Sequence, residues 1–363
     1  MTDAPARPRT PGSESGAGGA GGSTAGTIDT PREETIAGSS TLETPADARS
    51  ALRGGGSHRL GDLVFRSAAT GAAGFITVVI AAIGLFLIWR AVPALRRNSV
   101  NFLFSSEWST TDTAHMAFGV LDLLQLTILV SLFALVIAMP VALGIAIFLT
   151  SYAPKRIARP LAYMIDLLAA VPSVVYGLWG LLVFAPAIRP ASVWLNEHLD
   201  WLFLFKTQPL TSVAGGGTVF TAGIVLAVMI LPIITAVTRE VFTQTPVMHI
   251  EAALALGATR WEVVRTTVIP FGKSGYVSGS MLGLGRALGE TMALYLILRT
   301  SSAKFDWSLF DGGSTIASKI ALGYAEFNSQ IQAGAYIAAG LVLFVLTFAV
   351  NAAARAVIAG KRA

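Results

Sequence analysis

Residues 251 to 270 read EAALALGATRWEVVRTTVIP, a short polar segment that stands between two long apolar stretches. Its first six residues favour a helix because alanine, leucine and glutamate are good helix formers, and Gly257 then supplies a place to turn. Thr259 and Glu262 have the spacing of a capping box, so we expect a second helix that begins at Thr259 and ends at Pro270. The pattern predicts a compact helix-turn-helix at a membrane face, although an ordinary interfacial loop fits it as well.

The composition of the whole chain is that of an integral membrane protein. Of its 363 residues 53% are hydrophobic and 13% charged, and the mean hydropathy is +0.65, which excludes an ordinary soluble domain. The net charge of +5 is distributed by loop rather than clustered with aromatic residues, so we expect membrane lipid and no nucleic acid as a partner. The absence of cysteine excludes disulfides and cysteine-ligated zinc, and we expect no metal site in this chain.

Hydropathy divides the chain into two parts. Residues 1–58 are rich in Gly, Ser, Thr, Ala and Pro and cannot bury enough apolar surface to offset the entropy of ordering, so we expect a disordered cytoplasmic tail. Residues 59–363 are predicted to form an all-α transmembrane domain. A helix needs about 20 apolar residues to cross the hydrocarbon core, and six stretches meet that requirement. They are 68–92, 120–150, 161–188, 218–239, 275–298 and 331–357.

Lysine and arginine in the short loops set the expected orientation. They gather in the second-to-third connection, around the fourth-to-fifth connection and at the end of the chain, and cytoplasmic loops carry such an excess. With six spans, both termini then lie in the cytoplasm. We therefore expect a multi-pass protein of the bacterial plasma membrane.

Three charged residues fall inside the predicted spans. Arg286 and Glu290 lie one helical turn apart in the fifth, where a charge costs about 2.5–3.5 kcal/mol unless it has a partner or a water-filled path. They could neutralise each other within the helix, or Arg286 could bind an oxyanion in transit while Glu290 holds it in position. Asp166, in the third span, is a possible second pathway residue, although snorkelling or helix pairing explains it equally well.

The 251–270 segment resembles the coupling loop of ABC importer permeases. That loop has Glu-Ala-Ala, three residues, a glycine, nine residues and then Ile-x-Leu-Pro. The matching positions are Glu251, Ala252, Ala253, Gly257 and Pro270. Thr267 stands in the isoleucine position and Ile269 in the leucine position, which leaves the spacing intact. The resemblance implies that residues 241–273 form a coupling loop whose docking helix, Glu251 to Gly257, lies in a cleft of an ATPase subunit.

Three further stretches look like the PstC-type permease family of phosphate importers. They are LLAAVPSVVYGLWG at 167–180, VMILPIITAVTREVF at 228–242 and GLGRALGETMA at 283–293. The resemblance covers roughly residues 62–358 and implies the type I ABC importer permease architecture. It carries the family's essential transmembrane arginine and glutamate to Arg286 and Glu290. The implied partners are a PstA-like permease, two PstB-like ATPase subunits and an external PstS-like phosphate-binding protein.

Other functions fit parts of the same pattern. A PstA-type sister subunit or a permease for sulfate or molybdate shares the loop and the arginine, and a secondary anion carrier or channel would explain the charges but not the loop. The chain is not expected to be an enzyme, because a phosphate loop ending in Gly272-Lys273-Ser274 would need a glycine where Thr267 stands. We expect no cofactor in this chain, and ATP with Mg on the partner ATPase.

Overall fold

The structure is a computed structural model that describes residues 56–110, 116–206, 216–299, 304–324, 327 and 329–359. The chain divides into two compact units, Met1–Ala69 and Thr70–Ala363. In the first unit the described residues, 56–69, are helical. The predicted tail lies outside the described residues, except that residues 56–58 are part of the first helix.

Twelve helices account for most of the described residues. They are α1 (Gly56–Leu95), α2 (Leu121–Ile147), α3 (Lys155–Ala169), α4 (Ser173–Trp179), α5 (Ala185–Leu199), α6 (Val219–Thr243), α7 (Val247–Ala255), α8 (Arg260–Val263), α9 (Ile269–Leu288), α10 (Met292–Ile297), α11 (Ile316–Gly323) and α12 (Gln330–Ala359). Wider π-helical turns continue three of them, at Phe148–Tyr152, Gly180–Phe184 and Val264–Val268, and Phe203–Phe205 is a 3₁₀ turn. Two short strands, β1 (Trp108–Ser109) and β2 (Ala117–Phe118), pair antiparallel.

Five of the helices in the described part of the chain are long and apolar enough to cross a membrane. They are Gly61–Leu95, Leu121–Tyr152, Ser173–Leu199, Val219–Thr243 and Gln330–Ala356. The predicted class, an all-α multi-pass membrane protein, is therefore confirmed. The first, second, fourth and sixth predicted spans each fall on one of these helices, and the third and fifth need correction.

The third predicted span, 161–188, is wrong as a single helix. The structure ends α3 at Ala169 and begins a new helix at Ser173, with Pro172 between them in an extended conformation (ψ 138°). Proline disfavours a helical conformation in the residue before it, and it has no amide hydrogen to continue the helix. The apolar helix therefore runs from Ser173 to Leu199, and amphipathic α3 precedes it.

The fifth predicted span, 275–298, is also interrupted. Helix α9 ends at Leu288, and α10 begins at Met292 after a three-residue break. Glycine, which weakens helices, is frequent in this stretch and stands at position 289. Pro270 does not end the preceding helix as expected; the helical path runs from α8 through the π-helical turn Val264–Val268 into α9, and Pro270 lies in the first turn of α9.

Helix α6 is the centre of the bundle and packs between α2 and α9. Its packing against α9 depends on small residues, since a Cβ on Gly283 would lie 2.8 Å from Cγ1 of Ile234. A Cβ on Gly279 would similarly lie 3.0 Å from Cβ of Val237. The two helices therefore approach as closely as glycine allows, which favours their moving as one body.

The two ends of α6 define two ends of the molecule. At its start the amides of Val219 and Phe220 donate to the carbonyls of Asp311 and Leu309, at 3.0 and 2.6 Å. At its other end only three residues separate Thr243 from α7. A helix of 25 residues is about 37 Å long at 1.5 Å per residue. Loop 304–314 and the coupling loop therefore lie on opposite sides of a hydrocarbon-sized layer.

Candidate functional site

The coupling loop has the two helices that the sequence predicts, joined by a tight turn. Helix α7 ends in a Schellman motif, in which the Ala258 amide donates to the Ala253 carbonyl (3.1 Å) and the Gly257 amide to the Leu254 carbonyl (2.9 Å). Gly257 has a φ of +84°, a left-handed conformation that costs other residues free energy. The glycine of the motif is therefore required by the backbone.

The capping box at the start of α8 is confirmed. The Glu262 carboxylate accepts from the Thr259 amide at 2.7 Å, and the Glu262 amide donates to the Thr259 hydroxyl at 3.3 Å. The Thr259 hydroxyl also donates to the Glu262 carboxylate, at 2.8 Å, and the two bonds from the Thr259 amide and hydroxyl hold the pKa of Glu262 below its ordinary value of 4.5. Because the folded pKa is lowered, the cap is present at neutral pH and weakens only as the pH falls through that lowered pKa.

The predicted docking helix of the loop is exposed. Glu251 and Ala252 are exposed, Ala253 is half-buried, and no residue of α7 is buried. Two large apolar side chains beside them, Met248 and Leu256, are 80% and 90% exposed. Exposed apolar groups flanked by a carboxylate are typical of a surface that a protein partner covers.

Arg286 lies in the last turn of α9, immediately before the break in the fifth predicted span. Its side chain is exposed, and no ion pair or hydrogen bond joins it to another residue in the part of the chain that the structure describes. The ring hydroxyl of Tyr176 on α4 lies within electrostatic reach of the guanidinium and donates to the Leu168 carbonyl at 2.9 Å. The guanidinium is therefore available to an anion.

Glu290 does not pair with Arg286. It is buried, and its Oε1 accepts a hydrogen bond from the Ala293 amide at 3.2 Å. The carboxylate thus satisfies an amide that the helix break leaves without an intrahelical partner at the start of α10. The pair that the sequence suggested is replaced by a cap, since the break changes the direction of the chain after Leu288.

Helix α10 is pressed against α4, which carries Tyr176. A Cβ on Gly177 would lie 2.9 Å from the Cα of Ala293, so the two backbones are almost in contact. Tyr176 is therefore positioned beside Arg286 by a glycine contact on one side and by its hydrogen bond to Leu168 on the other. The sequence analysis did not single out Tyr176, because nothing in its apolar surroundings indicates that α4 folds back toward α9.

Asp166 forms an ion pair with a residue of a second helix. Its Oδ2 accepts from Nη2 of Arg239 at 3.1 Å, which ties α3 to the end of α6. The Asp166 side chain is 44% exposed and that of Arg239 is 23% exposed. Of the three interpretations that the sequence left open, helix pairing is the one that this geometry supports. No group of three His, Asp or Glu side chains among the described residues could hold a metal ion.

Comparison with known proteins gives the site its context. Residues 138–362 match the family model described as "binding-protein-dependent transport system inner membrane component". The phosphate transport system permease protein PstC 2 of Mycobacterium tuberculosis is 59% identical over 303 residues, which cover 84% of this chain and 93% of that protein. The PstC protein of Mycobacterium leprae is 57% identical over 83% of this chain and 94% of its own length, and that of Xylella fastidiosa is 40% identical over 81% and 89%.

A more distant similarity is to the crystal structure of a bacterial ABC transporter involved in the import of alginate. It is 16% identical, with a TM-score of 0.48, over 82% of this chain and 98% of that one. This similarity is too distant to bear on the site.

Proposed function

Because the chain belongs to the family of binding-protein-dependent transport system inner membrane components, we propose that it forms half of the phosphate pathway of an ATP-driven importer. The family makes it a membrane permease subunit of an ABC importer. The choice of phosphate rests on one observation, which is 59% identity to a phosphate permease over nearly the full length of that relative. The exposed guanidinium of Arg286 supports the choice, because its planar donors suit an oxyanion.

The complete importer would contain four kinds of subunit. Besides this chain it needs a PstA-like permease, two PstB-like ATPase subunits and an external PstS-like phosphate-binding protein. ATP and Mg bind to the ATPase subunits in this proposal, and both termini of this chain lie in the cytoplasm of a bacterium, with the coupling loop. The exposed face of α7 supports that placement, because an ATPase cleft would cover it.

The fold suggests how a movement driven by ATP hydrolysis is transmitted from the coupling loop to Arg286. The coupling loop lies between α6 and α9 in the chain, and these helices are locked together by the Gly279 and Gly283 contacts. Arg286 is at the far end of α9, about 24 Å from Pro270 at 1.5 Å per residue. A tilt imposed on α7 by ATPase closure therefore moves Arg286 relative to α2 and α4. In this proposal that movement exposes the guanidinium alternately to the two sides.

Arg286 is suited to hold a phosphate without trapping it. The Glu290 carboxylate is engaged by the Ala293 amide, so it adds negative charge nearby without neutralising the guanidinium. Tyr176 sets one wall of the path, because its hydroxyl is bonded to Leu168. An anion therefore finds one strong bidentate partner in apolar surroundings, which gives binding strong enough for capture and weak enough for release.

The test is phosphate uptake into vesicles that contain the four-component complex. Arg286→Ala should reduce ATP-dependent uptake by at least about 100-fold, because it removes two charge-assisted hydrogen bonds. Arg286→Lys should retain part of the uptake, since it keeps the charge but loses the bidentate geometry. Arg189→Ala, at an exposed arginine of α5, is the matched control and should behave as the parental complex does.

Two results would contradict the proposal. Uptake by Arg286→Ala at the parental rate would remove the arginine from the pathway. Competition by sulfate or molybdate as strong as competition by unlabelled phosphate would show that the complex imports another oxyanion.

A further inference from the structure

A second polar region lies at the end of α6 that is opposite the coupling loop. It is a cavity of about 540 Å³ with walls from strand β1, the first turns of α2, loop 304–314 and Lys319 of α11. An adjoining cavity of about 460 Å³ shares Glu107, Asp122 and Lys304 with it. Together they form an open vestibule that neither the coupling loop nor the surroundings of Arg286 includes.

The walls of the cavity are fixed by one carboxylate. Asp122, in the first turn of α2, accepts from the Ser106 hydroxyl at 2.6 Å through Oδ1. Its Oδ2 accepts from the Phe305 amide at 3.2 Å. Both oxygens are therefore used to join three separate segments of the chain, so Asp122 is a structural anchor, and the cavity is held in shape before any ligand arrives.

Two lysines give the cavity its donors. Lys304 is exposed at the mouth, and half-buried Lys319 places its Nζ 5.5 Å from the ring centroid of Trp108. Helix α11 is anchored beneath Lys319, because the Ile316 amide donates to the Thr127 hydroxyl at 3.0 Å. The attraction between the ammonium group and the face of the ring helps to hold Lys319 near this wall of the cavity.

The remaining polar lining consists of the Ser109 and Ser314 residues and Glu107. Hydrogen phosphate has acceptor oxygens and also an O–H donor, whereas sulfate at neutral pH has acceptors alone. Ammonium and hydroxyl donors beside a carboxylate acceptor match the first anion better than the second. The same set of groups would repel an apolar ligand and would leave a divalent cation facing two ammonium groups.

We propose that this cavity is an anion-binding vestibule that takes up inorganic phosphate and holds it before it moves on to Arg286, with Lys304 and Lys319 as donors and Glu107 as the acceptor that discriminates against sulfate. This inference rests on the proposed function for its ligand. A lipid phosphate headgroup has related chemistry, and the test separates that source from free phosphate. Loop 304–314, which forms one wall of the vestibule, is hydrogen-bonded to the start of α6, the helix that ends at the coupling loop.

The first experiment uses the unaltered complex. Lysine side chains are labelled with an amine-directed acylating reagent in phosphatidylcholine vesicles, with increasing inorganic phosphate or sulfate, and mass spectrometry reads each lysine. We expect phosphate to slow the labelling of Lys304 and Lys319 by about fivefold or more at saturation and to leave Lys206 unchanged. Lys206 is the internal control, because it is an exposed lysine that does not line the cavity.

The second experiment measures binding of radiolabelled phosphate to the assembled permease and ATPase complex without the external binding protein. The measurements are made in an Arg286→Ala background, so that the pathway arginine does not contribute. Lys319→Gln should raise the half-saturating phosphate concentration about tenfold, because it removes one charge-assisted hydrogen bond. Glu107→Gln should reduce the preference for phosphate over sulfate, and Lys206→Gln should change neither value.

Each outcome decides one point. Equal labelling of all three lysines with and without phosphate overturns the vestibule. Protection that appears only when phosphatidylglycerol is added, with no response to inorganic phosphate, also overturns it, because the occupant is then a lipid headgroup. Protection by phosphate in a parental complex that imports no phosphate supports the vestibule and contradicts the proposed function instead.

Discussion

At the scale of the residue, charged groups in this chain differ in what satisfies them. Glu290 is buried and caps α10 through the Ala293 amide, and Asp166 pairs with Arg239. Arg286 has neither kind of partner among the described residues. This difference supports the proposal that Arg286 binds an anion, because a permanent charge in an apolar helix costs free energy unless a partner compensates it.

Asp311, in loop 304–314, predicts that the stability of the protein depends on pH. It is buried, its Oδ2 accepts from the Asp306 amide at 3.3 Å, and Oδ1 has no partner among the described residues. Burial raises the pKa of Asp311 above its ordinary value of 3.8. Because the folded pKa is raised, stability is full below pH 3.8 and is lost as the pH rises through the raised pKa.

Asp311→Asn should therefore raise the melting temperature at pH 7.5, by about 2–4 °C for each kcal/mol gained in the free energy of unfolding. Near pH 4 the same substitution should raise it little. Thermal unfolding in vesicles at the two pH values measures the difference. Asp200→Asn, at an exposed carboxylate outside loop 304–314, is the control. An Asp311→Asn gain that is the same at both pH values would show that ionisation of Asp311 does not limit stability.

At the scale of the element, two glycines set how helices meet, and they do so for different reasons. Gly257 is needed for its backbone conformation, since a Cβ there would meet nothing within 4 Å but φ is +84°. Gly177 has an ordinary helical backbone conformation but no space for a side chain, because a Cβ would lie 2.9 Å from the Cα of Ala293. We therefore expect substitution of Gly257 to affect the turn and substitution of Gly177 to affect the packing of α4 against α10.

Gly257→Ala should cost about 1–2 kcal/mol in the turn between α7 and α8, because alanine resists the left-handed conformation. We expect the number of phosphate ions imported per ATP hydrolysed to fall, since α7 would no longer hold its position relative to α9. Gly257→Asn should retain more of this ratio, because asparagine tolerates that conformation. Vesicles assayed for uptake and ATP hydrolysis together give the ratio, and a Gly257→Ala ratio equal to the parental one would remove the turn from the coupling path.

Gly177→Ala should destabilise the protein by about 1–3 kcal/mol, because it forces α4 and α10 apart. Gly144→Ala is the matched control within α2, where a Cβ would meet nothing within 4 Å, and it should be neutral or slightly stabilising. Thermal unfolding of both variants measures the difference. Equal melting temperatures for the two variants would show that the α4–α10 contact yields without cost.

At the scale of the whole molecule, most of the apolar surface of the bundle is not covered by the chain itself. In the most apolar part of α6, 72% of residues are buried, but in the corresponding parts of Ser173–Leu199 and Gln330–Ala356 the figures are 22% and 28%. Lipid and a second permease are the surfaces that can cover the remainder. The exposed apolar faces thus leave room for the second permease of the proposed importer.

Co-expression with the PstA-like permease should raise the melting temperature of this chain in a fixed detergent. A partner that binds only the folded chain stabilises it by about 2.7 kcal/mol at 100 times its Kd, which is several degrees for a chain of this size. The same measurement with an unrelated permease is the control. A melting temperature that does not change with the PstA-like partner would contradict the heterodimer.

Much of the candidate site follows from local sequence. The 251–270 segment alone predicted the turn at Gly257 and the capping box of Thr259 and Glu262, because both depend on residues within five positions of each other. The same segment predicted the wrong role for Pro270, since a proline fits the first turn of a helix as well as the position after its end. Local pattern thus gave the elements of the loop and left one boundary undecided.

The sequence by itself determined that this is a helical multi-pass membrane protein, because hydropathy reports whether a segment can leave water. Only the tertiary structure decided where the third and fifth spans break, that Glu290 caps α10, and that Asp166 meets Arg239, 73 positions away. The physical reason is that a carboxylate accepts from whichever donor the fold brings within reach. For Asp166 that donor lies on a distant helix, and for Glu290 it is an amide three positions away that is free because the helix breaks before α10. Spacing along the chain records neither the distant contact nor the break.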